Sequence, residues 1–125
     1  MRYNLFLNYP EAGGDVEVSE EALAEGRKAF DDYAKALDDA GALLGVNILK
    51  PSSASTTVSF KDGSLVVQDG PFADTKEKLG GVFMLEVPDL DAAIAWAEKA
   101  PSAHWGTVEI RPVELSYADG EWESH

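Results

Sequence analysis

The sequence predicts a single α+β domain. Three observations carry this: period-two apolar runs at both ends of the chain, two segments with helical spacing between them, and an Asp-Gly turn flanked by β-rich runs. The predicted order is strand, helix, strand, hairpin, strand, helix, strand. Without the hairpin this is the split β-α-β pattern of ferredoxin-like folds. Both helices would then cover one sheet face and leave the other open, and pairing two such sheets into a dimer would bury it.

Each element has its own signal. "RYNLFLNY" alternates, with Tyr3, Leu5, Leu7 and Tyr9 on one side and Asn4, Phe6 and Asn8 on the other. Ser19 followed by Glu20 and Glu21 suits a helix N-terminus. Leu23, Arg27, Phe30, Ala34 and Leu37 recur at helical spacing, Asp31, Asp32, Lys35 and Asp38 form a solvated face, and Gly41 supplies the stop. "ALLGVNILKP" reads as a strand closed by Pro51. A hairpin from about Thr56 to Val67 turns at Asp62-Gly63. "VFMLEV" reads as a central strand buried on both faces. Asp89 caps a second helix with a stripe of Leu90, Ile94 and Ala97, ended by Pro101. "TVEIRPVEL" is the last strand, with Val108 and Ile110 facing one way and Thr107, Glu109 and Arg111 the other. The domain is placed at residues 1–115. Residues 116–125 read as a polar tail, loosely held, with Tyr117 and Trp122 able to dock on a neighbour.

Composition excludes several function classes. Of the 125 residues, 10 are Lys or Arg and 23 Asp or Glu, for a net charge of −13, a field that repels phosphate backbones and anionic lipid headgroups. Neither nucleic acid nor membrane is an expected partner. With no cysteine, disulfides, thiolate nucleophiles and thiolate-held metals drop out. The two histidines, His104 and His125, make no metal site by themselves, and no metal or cofactor is expected. The N-terminus lacks a signal-peptide pattern and no run approaches the ~18 apolar residues of a membrane span, so a cytoplasmic location is expected.

The stretch "QDGPFADTKEKLGG", residues 68–81, joins two predicted strands with fourteen residues, one aromatic and five charges. A bare turn needs about two to five residues, so this loop is the candidate functional site. Gly70 and Pro71 suit a sharp, rigid turn. Such a turn would hold the Asp69 carboxylate and the Phe72 ring at a cleft mouth, where acid/base work needs fixed groups. Thr75, Lys76 and Glu77 follow, read either as a capped helical turn with solvated charges or as ligand contacts. Glu109 and Arg111 share a strand face with Asn4 and Asn8. They are either a structural ion pair or a floor on which Arg111 anchors a carboxylate ligand. His104 follows the second helix and is either a C-terminal cap or a partner to Asp69 in proton transfer.

"DGPFADTKEKLGG" resembles the signature of the YCII-related, DGPF-domain proteins. "RYNLFLNY", "LDAAIAWA" and "GTVEIRPV" fall in the order that family shows, so the resemblance covers roughly residues 1–113. It implies a ferredoxin-like fold assembled as a dimeric α+β barrel, Thr75, Lys76 and Glu77 as family-matching loop positions, and for some members an association with extracytoplasmic-function sigma factors. Leaner relatives are described with a His-Asp pair in a cleft. Here both histidines lie late in the chain, so no imidazole comes from helix 1 or any earlier element. Two function classes follow: a homodimeric small-molecule-binding protein or enzyme of acid/base or lyase type, and a non-catalytic regulatory or interaction protein.

Overall fold

The computed structural model describes residues 1–11 and 18–125. Four antiparallel strands form the main sheet: β1 (Arg2–Tyr9), β2 (Leu43–Ile48), β5 (Lys78–Glu86) and β6 (Thr107–Pro112), in the order β2-β5-β1-β6. Two helices, α1 (Glu20–Asp39) and α2 (Leu90–Glu98), connect them. β3 (Thr56–Lys61) and β4 (Ser64–Asp69) make a separate two-stranded sheet, inserted between β2 and β5. The chain is thus α+β with antiparallel sheets, and the sheet of one copy does not close on itself. No helix among the described residues is long and apolar enough to cross a membrane.

The core lies between the sheet and both helices. Tyr3, Leu5 and Leu7 of β1 and Phe83, Leu85 and Val87 on and after β5 pack with Tyr33 and Leu37 of α1 and Ala93 and Ala97 of α2. Both helices are capped as their sequences suggest. Ser19 accepts from the Ala22 N–H at 3.1 Å and Asp89 from the Ala92 N–H at 2.9 Å. Gly41, at φ 72°, closes α1, with its N–H donating to Asp38.

Four expectations change. On α2 the buried stripe is Ala93 and Ala97, while Leu90 and Ile94 are exposed; small side chains let the short helix lie close on the sheet. On α1 Tyr33 is buried and Leu23 is largely exposed. Tyr33 can be buried because its hydroxyl donates to the Trp96 carbonyl at 2.7 Å, and burial pushes its phenol pKa up. The long loop is shorter than expected, since β4 runs to Asp69 and β5 begins at Lys78, which puts the glycine pair inside a strand. A Cβ on Gly80 would sit 2.1 Å from the Tyr9 ring, so glycine there makes room for the tyrosine. The polar tail is a hairpin, β7 (Leu115–Ala118) and β8 (Glu121–Ser124), turning at Asp119-Gly120 with φ of 54° and 80°. Ser116 on β7 accepts from Arg2 at 3.1 Å, and Tyr117 and Trp122 pair edge to face at 5.1 Å.

β5 is central as expected, but its two faces differ. Phe83 and Leu85 are buried on the helix side, whereas Val82 and Met84 on the other side are only half-buried. Among the described residues no helix lies over that second face.

Candidate functional site

The open face of the sheet is set by register. Asn4 lies opposite Arg111 and Phe6 opposite Glu109 across β1 and β6, while Asn4 and Phe6 oppose Met84 and Val82 on β5. Alternation along each strand points these side chains away from the helices. On this face lies a shallow depression of about 210 Å³ lined by Phe6, Asn8, Leu79, Glu109 and Arg111.

The expectation that Asn8, Glu109 and Arg111 share one surface matches this register. Arg111 donates through Nη2 to a Glu109 carboxylate oxygen, and its guanidinium carbon lies 5.7 Å from the Phe6 ring centroid. Asn8 donates from Nδ2 to the Phe6 carbonyl at 3.4 Å, and its side-chain oxygen accepts no hydrogen bond among the described residues. Asn4 stands on the same face nearer the β7–β8 hairpin and does not line the depression. Phe6 and Leu79 were not singled out as ligand contacts. Phe6 is marked in the sequence by its place between two asparagines on the outer face of β1, while Leu79 falls in the stretch 68–81 that reads as a loop.

The loop between β4 and β5 spans residues 70–77. Gly70 has φ 103°, donates to the Ser55 carbonyl at 2.7 Å and accepts from the Thr57 hydroxyl at 2.7 Å. The rigid turn is therefore tied by Thr57, and the Asp69 carboxylate has no hydrogen bond or ion pair among the described residues. Phe72 is 93% exposed, so its ring extends into solvent and lines no wall of the depression. Thr75 donates to the Glu77 carbonyl, and Lys78 pairs with Asp74 at 2.7 Å. That hydrogen bond and the ammonium charge hold the Asp74 carboxyl below its usual range. Lys76 is exposed and Glu77 half-buried.

His104 ends a 3-10 turn, Pro101–His104, whose Ser102 is buried and whose Ala103 packs on the core. It is exposed, and no hydrogen bond joins it to Asp69, which stands on the separate β3–β4 sheet opposite Thr56. The next residue, Trp105, packs edge to face on Tyr9 at 5.0 Å. Burial, and secondarily the Glu11 charge, pushes the Tyr9 phenol pKa up. Among the described residues no group of three or more His, Asp or Glu side chains converges.

Comparison with known proteins agrees with the motifs. A protein of Rhizobium meliloti (strain 1021), itself described as uncharacterized, is 39% identical over 88 residues, covering 69% of this chain and 70% of the relative. The family model for the YCII-related domain matches residues 1–122, from the start of β1 into the terminal hairpin. The chain belongs to the YCII-related family.

Proposed function

We propose that this protein binds a small carboxylate-bearing molecule on the open face of the sheet, as a homodimer. The carrying observation is the convergence of Arg111, Asn8 and the Phe6 and Leu79 side chains on one depression. In a chain of net charge −13, a guanidinium on an otherwise uncovered sheet face is the natural anchor for an anion. Its fork has five donors, so Glu109 can hold one while a ligand takes others. Asn8 adds an amide oxygen and Phe6 an apolar wall.

The dimer supplies enclosure. The depression is shallow in one copy, and ligand sites bury most of a small molecule's surface. Strand order, two helices on one face and the family together support ferredoxin-like units whose open faces meet as a dimeric α+β barrel. Within such a cleft the loop at 70–77 forms the rim, bringing Phe72, Thr75, Lys76 and Glu77 to the ligand. Acid/base or lyase-type chemistry follows if Asp69, with His104, reaches the bound molecule to move a proton.

A thermal-shift screen of metabolite carboxylates tests the binding. A ligand at about 100 times its Kd stabilises the native state by about 2.7 kcal/mol. The expected hits raise Tm in the wild type and lose that effect in Arg111→Gln. Hits that stabilise Arg111→Gln equally contradict the assignment.

A second reading is a non-catalytic interaction protein, in line with the sigma-factor association of some family members. The exposed apolar face of the β3–β4 hairpin favours it.

A further inference from the structure

Among the described residues one face of the β3–β4 hairpin has no partner. Val58 pairs with Val67 and Phe60 with Leu65, so all four lie on the same side of the ribbon, and they are 60%, 58%, 72% and 59% exposed in that order. On the reverse side Thr57, Ser59 and Val66 are half-buried. A two-stranded ribbon is marginal in water by itself and needs an apolar face packed on something. The depression on the open sheet face has the opposite defect: its Leu79 is 43% exposed, and no hairpin residue of the same chain lines it.

We propose that a second copy of the chain satisfies both surfaces, the apolar face of each hairpin lying across the other copy's depression with Phe60, near the hairpin tip, against the partner's Leu79. The inference rests on the homodimer reading above and adds which segments meet. Area supports it. Four such side chains offer on the order of 400 Å². Each copy gives one hairpin and receives one, so each covers about 800 Å², the usual share of one partner in a stable interface. Charge supports it as well. The only charged residue on that hairpin face is Asp69, at its base, and the Glu109 carboxylate in the depression is already paired with Arg111. Two copies of a strongly acidic chain can therefore meet there without setting unpaired carboxylates against one another. The depression becomes enclosed, with one wall supplied by the partner.

The absence of cysteine makes the contact directly testable, because an introduced thiol has no native competitor. Phe60→Cys and Leu79→Cys are made in separate, differently tagged chains, co-expressed, and treated with a short bismaleimide. Both positions are exposed, so neither change threatens the fold. The expected result is a covalent Phe60→Cys to Leu79→Cys dimer at least fivefold more abundant than the self-linked product of either variant. Equal self-linking by Phe60→Cys alone would show hairpin meeting hairpin and overturn the proposal. A sedimenting dimer without the mixed product also overturns it, leaves the sheet-pairing reading standing, and gives the hairpin to a different protein. A monomer overturns both.

Discussion

Alanine at position 106 tests the packing that holds β1 beside β6. A Cβ built on Gly106 would lie 2.2 Å from the Asn8 carbonyl oxygen, 2.8 Å from the Tyr9 Cβ and 3.1 Å from the Tyr9 Cα. These obstructing atoms are main chain or fixed to it, so no rotamer change relieves the contact. A gap of about 1 Å must open where Asn8 pairs with Thr107. Forcing a methyl group into a packed site costs about 1–3 kcal/mol, and a weakened ladder hydrogen bond adds about 1 kcal/mol. The expected loss is therefore about 2–4 kcal/mol. For a domain of this size that lowers Tm by roughly 8–15 °C, read by thermal and urea denaturation at one fixed protein concentration. Gly26→Ala is the control. Nothing lies within 4 Å of its Cβ, and it sits inside α1, where alanine is favoured by about 0.5–1 kcal/mol. Gly106→Ala melting within 1 °C of wild type, or Gly26→Ala proving the more harmful of the two, would refute the reasoning.

Three further outcomes are expected. Tyr33→Phe removes the 2.7 Å donor to the Trp96 carbonyl, which keeps the Lys99 N–H at 3.1 Å, and should cost about 0.5–1.5 kcal/mol in urea unfolding; an unchanged midpoint would show that the bond contributes nothing. Asp69→Asn should leave stability within about 0.5 kcal/mol of an Asp38→Asn control on exposed α1 surface, since Thr57 ties the turn, while abolishing any ligand-induced rise in Tm; a destabilised variant that binds normally would remove Asp69 from the site. Tm should rise as pH falls from 7.5 to 5.5, because 23 carboxylates repel one another against 10 cations. The trend should reverse in stronger acid. Hydrogen bonds from Lys28 and Lys78 depress the folded pKa values of Asp32 and Asp74, so the stability those carboxylates give, present above the unfolded value near 3.8, is lost as pH falls through the folded values. A monotonic fall in Tm from pH 7.5 to 5.5 would contradict this.

The two Asp-Gly pairs show where the sequence was legible. Asp62-Gly63 sits between β-branched runs and reads at once as a hairpin turn. Asp119-Gly120 has the same positive φ values, but its flanks are polar and its strands have four residues each, too little alternation to signal β structure. In α2, large residues drew the stripe to Leu90 and Ile94, whereas close approach to the sheet selects Ala93 and Ala97. Tyr33 was obscured because a phenol is buried only where a distant carbonyl receives it, and the Trp96 partner lies 63 positions away. Period-two alternation did place Asn4, Phe6, Asn8, Glu109 and Arg111 on common faces, so the neighbours around the depression were legible, but alternation does not show that Asn4 falls outside it. Its wall at Leu79 depended on a strand start that two glycines disguised, and the relation of Asp69 to His104 is a question of tertiary distance that spacing does not encode.

Sedimentation equilibrium of the full chain in dilute buffer, at micromolar concentration and about 0.15 M salt, tests the central claim most directly, because an enclosed site on the open sheet face requires a second copy to cover it. A mass near twice the 13.4 kDa chain is expected. Phe6→Asp, which sets a charge in the middle of that face, should shift the chain toward monomer while its circular dichroism stays native. A wild-type protein that sediments at the mass of one chain across the micromolar range would contradict the account.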